Sequence, residues 1–119
     1  MSDTLVIGAS LNETRYSNLA IKRLRQNNHN VFALGLKEGV IGDVNIETGK
    51  PPYKNIDTVT LYINPSRQPD YYDYIISLRP RRVIFNPGTE NINFENLLSK
   101  NGIITLEACT LVLLSIKDY

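Results

Sequence analysis

Short apolar runs, closed by glycine, proline or asparagine, alternate along this chain with stripes of helical period. Thr4-Leu5-Val6-Ile7 is an apolar, β-branched run ending at Gly8 and reads as a buried strand. Tyr16, Leu19, Ala20 and Leu24 then recur at helical spacing, with Lys22, Arg23 and Arg25 mostly on other faces. That helix is expected to stop near Asn28, where Asn-Asn-His-Asn breaks it, and Val31-Phe32-Ala33-Leu34 follows as a second strand. Residues 35–56 hold four Gly and two Pro and read as a long loop, with room for a small extended excursion between Ile41 and Ile46. Thr58 to Ile63 is the third strand. A helix is expected to begin near Arg67 to Pro69, with Ser66 as N-cap and Tyr72, Ile75 and Ile76 as its apolar stripe.

Arg82-Val83-Ile84-Phe85 is the fourth strand, closed by Asn86-Pro87-Gly88. Phe94, Leu97 and Leu98 mark a helix from about Asn93, with Gly102 just past its end. Ile103 to Leu106 is the fifth strand, and Ala108 to Ile116 a last helix that is apolar almost all round. Such a helix packs on the sheet or against a second copy of the chain, which makes it a candidate homodimer face. The strands are short and continuously apolar, as in a sheet covered on both faces. The expectation is one α/β domain over residues 1–119: a Rossmann-like, doubly wound fold with a mainly parallel five-stranded sheet.

Charge changes this picture by exclusion. The 13 Lys+Arg nearly balance the 12 Asp+Glu, which leaves no broad field for nucleic acid or an anionic membrane. Arg79, Arg81 and Arg82 straddle Pro80 and read as a solvated turn. One cysteine excludes an intramolecular disulfide, and no signal peptide or membrane span is visible, so a cytoplasmic protein is expected.

Open parallel sheets take ligands in the crevice outside the carboxyl ends of their strands, where strand order reverses. Loop residues suited to that place follow each strand here. Gly8 permits a tight turn beside a helix N-terminus, whose free N–H groups suit a phosphate. Ser10 and Ser17 add hydroxyls and Arg15 a positive charge, although a glycine after a strand also serves simply to turn. The dinucleotide pattern G-x-G-x-x-G is incomplete, with Ser10 and Glu13 in its second and third glycine positions. The second strand ends in Gly35-Leu36-Lys37, without the acid that grips a free ribose hydroxyl. Lysine there suits a phosphorylated ribose, as in coenzyme A or NADP, if it is not merely a surface lysine.

Leu5-Val6-Ile7-Gly8-Ala9-Ser10, Arg15-Tyr16-Ser17 and Val31 through Lys37 with Ile41-Gly42 resemble the small stand-alone CoA-binding proteins, relatives of the CoA-binding domain in the succinyl-CoA synthetase α-subunit. The resemblance continues through Asn64-Pro65, Gly88 and Glu107-Ala108-Cys109 and covers nearly the whole chain. It implies a Rossmann-like fold and coenzyme A (or acyl-CoA) as the ligand. It implies Gly8, Ala9, Ser10, Arg15 and Ser17 on the pyrophosphate side and Lys37 at the ribose phosphate. Asn64, Pro65 and Gly88 would border the pantetheine path. The chain departs from the family in having Gly35-Leu36 where an Asn-Pro pair commonly precedes the lysine, and in a first loop poorer in glycine.

Catalytic chemistry finds little support. The single histidine, His29, falls after the first helix, away from the strand ends, and reads as a solvated turn residue. No metal-ligand pattern is present. Cys109 starts the last helix, where it is either a reactive thiol within reach of the pantetheine thiol or a small apolar residue. Glu107 reads as a cap of that helix. The expectation is a binding protein without catalytic residues. The alternatives are a small NADP-dependent or CoA-linked enzyme, and an interaction module that has lost its ligand.

Overall fold

In the computed structural model, which describes residues 3–119, the first strand β1 (Asp3–Ala9) leads into α1 (Tyr16–Gln26) and back to β2 (Asn30–Gly35). Two short strands follow, β3 (Gly39–Ile41) and β4 (Val44–Glu47), and then β5 (Thr58–Leu61). A 3-10 helix (Pro65–Tyr71) runs into α2 (Tyr72–Leu78), β6 (Arg82–Phe85), α3 (Ile92–Lys100), β7 (Ile104–Glu107) and α4 (Thr110–Ser115). The sheet order is β3-β4-β2-β1-β5-β6-β7, and every neighbouring pair is parallel except β3 with β4.

The sheet therefore has seven strands rather than five. The additional pair comes from residues 39–47 of the glycine-rich stretch. Ile41, Val44 and Ile46 are buried while Val40, Asn45 and Glu47 are exposed, the period-two signature of an edge covered on one side. Gly42, at φ +60°, and Asp43 turn the hairpin, and β4 joins β2 through Ala33↔Ile46 and Leu34↔Glu47.

Side chains of the central strands alternate between two cores. Leu5, Ile7, Val59, Leu61, Val83 and Phe85 meet Tyr74 and Ile75 of α2 and Phe94 and Leu98 of α3. Val6, Ala33 and Ile46 meet Ile21 and Leu24 of α1 and Leu114 of α4 on the other face. Each fully buried Leu, Ile or Phe contributes about 1.5–3 kcal/mol of transfer free energy, so these two faces fix the register of the sheet. The last helix is shorter than expected and one-sided: Thr110 and Leu114 are buried, while Val112 and, just beyond the helix, Ile116 are exposed. None of the helices is long and apolar enough to cross a membrane among the described residues.

Candidate functional site

The sheet's order turns around at β1. The chain proceeds from β1 to β2 on one side, and β5 and β6 lie on the other. A cleft of about 740 Å³ opens over the carboxyl ends of these four strands, a volume in the range of small-molecule sites.

Its floor is built by Gly8 and Ala9. Gly8 does not make the turn expected of it: β1 runs through it to Ala9, with a register shift against β2 between Ile7 and Ala9. Gly8 lies at φ +100°, and a Cβ there would stand 2.8 Å from the Tyr62 carbonyl carbon. Glycine is thus required twice, by conformation and by the close approach of neighbouring backbone. Gly35, the first of the two departures from the family pattern, is also constrained, because a Cβ there would collide with the Ala9 carbonyl oxygen.

The loop from Ser10 to Arg15 is held by its own side chains. The Asn12 N–H donates to Ser10 Oγ (3.1 Å), and the Thr14 N–H (3.0 Å) and hydroxyl (2.7 Å) donate to Asn12 Oδ1. Buried Asn18 donates to the Ser10 carbonyl (2.9 Å), tying loop to helix. Ser10 Oγ accepts a bond and keeps its proton to donate. The helix α1 starts with neither a side-chain cap nor an acidic residue in its first turn, and Arg15, Tyr16 and Ser17 at that start line the cleft. Its first N–H groups are thus presented to any anion there.

Around this floor the lining changes character. On the β2 side stand Lys37 and three exposed apolar groups, Leu11, Leu36 and Tyr16, the last two each 74% exposed. On the other side stand Tyr62, Ile63, Asn64 and Arg67 after β5, and Pro87, Gly88 and Thr89 after β6. Among the described residues the lining contains no Asp, Glu, His or Cys, while Arg15, Lys37 and Arg67 form no ion pair. Three uncompensated cations and an uncapped helix start give the cleft a positive lining.

Buried amides lock the second wall. Gln68, fully buried, donates to the carbonyls of Ile63 (3.1 Å) and Thr89 (2.7 Å) and accepts from Asn91 Nδ2 (3.0 Å). Asn86 donates to Thr60 Oγ1 (2.6 Å) and the Leu61 carbonyl (2.9 Å), and its Oδ1 accepts the Thr110 N–H (2.9 Å). The Tyr62 hydroxyl is buried with no hydrogen-bond partner among the described residues, close to Thr60 and Thr110, which bond each other (2.8 Å). Burial is the main cause that pushes its titration far above the ordinary phenol range.

Of the residues expected at the site, Gly8, Ala9, Ser10, Arg15, Ser17, Lys37, Asn64 and Gly88 come together here, and Pro65 does not reach the lining. The Gly88 N–H is engaged by the Glu90 carboxylate (2.9 Å). Sequence reasoning set Tyr16 in the stripe of the first helix and gave no site role to Leu11, Leu36 and Arg67, although Leu36 and Arg67 fall in the loops it placed at the strand ends. It had also placed Ser66 at the N-cap of a helix. Asn64 occupies that position, and the Ser66 hydroxyl donates to the Asn64 side chain.

Other readings are corrected away from the cleft. Arg82 is not solvated: it is buried at the amino end of the sheet, donates to Thr58 Oγ1 (2.9 Å) and lies 4.5 Å from the Tyr119 ring centroid. His29, half-buried, packs edge-on against the same ring at 4.8 Å, and burial is the first cause that lowers its pKa. Glu107 does not cap α4; Cys109 holds the N-cap position without a side-chain bond, and Asn86 supplies the acceptor. Cys109 is half-buried and outside the cleft lining. Among the described residues no three His, Cys, Asp or Glu side chains are grouped so as to hold a metal ion.

An almost wholly parallel sheet, helices on both faces and one cation-lined crevice at the switch in strand order place this protein among the open α/β domains that receive a ligand at their strand ends. The profile of the CoA binding domain matches residues 2–115, and the chain belongs to that family. Among solved structures, the crystal structure of an uncharacterized protein is 46% identical, has a TM-score of 0.97, and is matched over 100% of this chain and 98% of its own. A protein of Thermus thermophilus shares the fold at 20% identity and a TM-score of 0.83, over 99% of this chain and 90% of its own. So does a hypothetical protein from Pyrococcus horikoshii OT3, at 23% identity and a TM-score of 0.80, over 92% and 78%. No curated protein matches the chain.

Proposed function

We propose that the protein binds coenzyme A, free or acylated, in this cleft, and that it acts as a binding protein without catalytic groups of its own. The observation that carries the proposal is the pairing, in a member of the CoA binding domain family, of uncompensated cations with exposed apolar groups along one cleft. Lys37 serves the ribose phosphate. Arg15, the Ser10 hydroxyl and the open start of α1 serve the pyrophosphate. Leu11, Tyr16 and Leu36 give the adenine an apolar bed, which supplies a use for leucine where the family commonly has an Asn-Pro pair. Tyr62, Asn64 and Gly88 border the pantetheine path. A lining without His, Cys or carboxylate offers neither a thiolate nor an ordinary general base.

Isothermal calorimetry with coenzyme A, dephospho-coenzyme A and NADPH tests this. A Lys–phosphate contact contributes about 1.5–3 kcal/mol, so Lys37→Ala is expected to weaken coenzyme A roughly 10-fold or more and to leave dephospho-coenzyme A nearly unchanged. Absence of heat at high micromolar coenzyme A overturns the proposal, as does NADPH binding that coenzyme A does not displace.

A further inference from the structure

The strand β7 closes one edge of the sheet. The Ile104 and Ala108 N–H groups donate inward, to the carbonyls of Arg81 and Phe85 (both 3.1 Å). Bonding along a parallel ladder alternates, so Thr105 between them turns its N–H and C=O outward. Its neighbours carry apolar side chains. The register Val6↔Thr60↔Ile84↔Leu106 sets Leu106, and with it Ile104, on the face that α4 covers. Ile104 is 53% exposed there, and the α4 layer adds exposed Val112 and Ile116. Proteins commonly blunt a bare edge with lysine, proline or a bulge, and residues 104–106 carry none of these. The charges at the two ends of β7 are opposite. At its carboxyl end exposed Glu107 stands against the Glu95 carboxyl of α3, which burial and this like-charged neighbour both push above its usual range. At its amino end lies the last turn of α3, where Lys100 is exposed and forms no ion pair among the described residues.

A two-fold axis through Thr105 makes this edge complementary to itself. We propose that β7 is a homodimer interface, pairing antiparallel with β7 of a second copy so that one sheet runs through both. In that register the two Thr105 residues exchange N–H···O bonds, and Ile104 lies opposite the partner subunit's Leu106. Glu107 lies opposite the partner subunit's Ile103, three residues from the partner subunit's Lys100. Each end thereby sets a carboxylate pair beside an unpaired ammonium. Backbone, apolar pairs and charge all match under the same axis, which assigns a second copy rather than a foreign strand as the occupant. No residue of β7 lines the cleft, and the strand carboxyl ends of the two copies point opposite ways, so both clefts stay open.

Sedimentation equilibrium of the full chain, from about 1 to about 100 µM, reads the association. At the upper end the wild type is expected at twice the 13.5 kDa mass of the chain. Ile104→Lys is expected to weaken dimerisation at least about 10-fold, with an unchanged circular dichroism spectrum as the control for folding. Lys100→Glu and Glu107→Lys are each expected to weaken it roughly 10-fold, and the two together to restore it to within about 3-fold of wild type. A wild type that stays monomeric at about 100 µM overturns the proposal. So does a dimer that Ile104→Lys leaves intact, which would put the interface elsewhere. A double charge reversal no tighter than either single one overturns it as well, because the antiparallel register requires the two charges to meet.

Discussion

Gly8 holds a backbone conformation that L side chains rarely adopt, at φ +100°, with Tyr62 backbone where a Cβ would go. Gly8→Ala is expected to cost at least about 2 kcal/mol of stability, from positive-φ strain and overlap with fixed backbone. Urea unfolding measures it, and a loss under about 0.5 kcal/mol contradicts the reading. His29 makes a second prediction. Burial lowers its folded pKa below the unfolded value near 6.5, so the unfolded chain binds the proton more readily. Its contribution to stability is present above that value and is lost as pH falls through the folded pKa. Asp57, lowered chiefly by its bond to Arg81, loses its contribution in the more acidic range below its usual 3.8. His29→Gln should therefore flatten the stability profile just below pH 6.5 and leave the acid limb intact. An unchanged slope in that window sinks the assignment. Sequence pointed to Gly8 correctly as special and to His29 as remote from the crevice. It missed the strand continuing to Ala9 and the edge-on packing of His29 against Tyr119, because the partners lie 54 and 90 residues away from Gly8 and His29, at Tyr62 and Tyr119.

At the level of elements, six were legible: α1, α3 and the strands β1, β2, β5 and β6 stand where their apolar positions placed them. The hairpin β3–β4 was not, since strands of three and four residues carry too few alternations to separate from a loop. The start of α4 also escaped, because its cap comes from Asn86, just past the end of β6. Asn86 ties β6 to β5 and to α4 through three buried hydrogen bonds. Asn86→Ala should leave a buried carbonyl and a helix N–H unpaired, costing about 3 kcal/mol and lowering Tm by roughly 10 °C. Differential scanning calorimetry reads this directly, and a Tm within a degree or two of wild type means that the network does not hold these elements together.

For the molecule as a whole, the near-neutral net charge of +1 conceals an uneven distribution. Carboxylates elsewhere hold Lys22, Arg25 and Arg81, whereas Arg15, Lys37 and Arg67 converge unpaired on one cleft. That convergence was only half legible. Arg15 and Lys37 were read as ligand groups from their loops, whereas Leu36 and Arg67, in the same strand-end loops, and the apolar Leu11 and Tyr16 show their place in the cleft only in the fold. Binding governed by these cations should weaken steeply with added salt. The most direct test of the central claim, that this cleft is where coenzyme A binds, is an amide NMR titration of the isotopically labelled chain with coenzyme A. The expected result is saturable shifts at Gly8, Ser10, Tyr16, Ser17, Leu36 and Lys37, with Arg23, Asn27, Leu111 and Ser115, which line a smaller groove between α1 and α4, left unmoved. Shifts confined to that smaller groove, or none up to millimolar ligand, would contradict it.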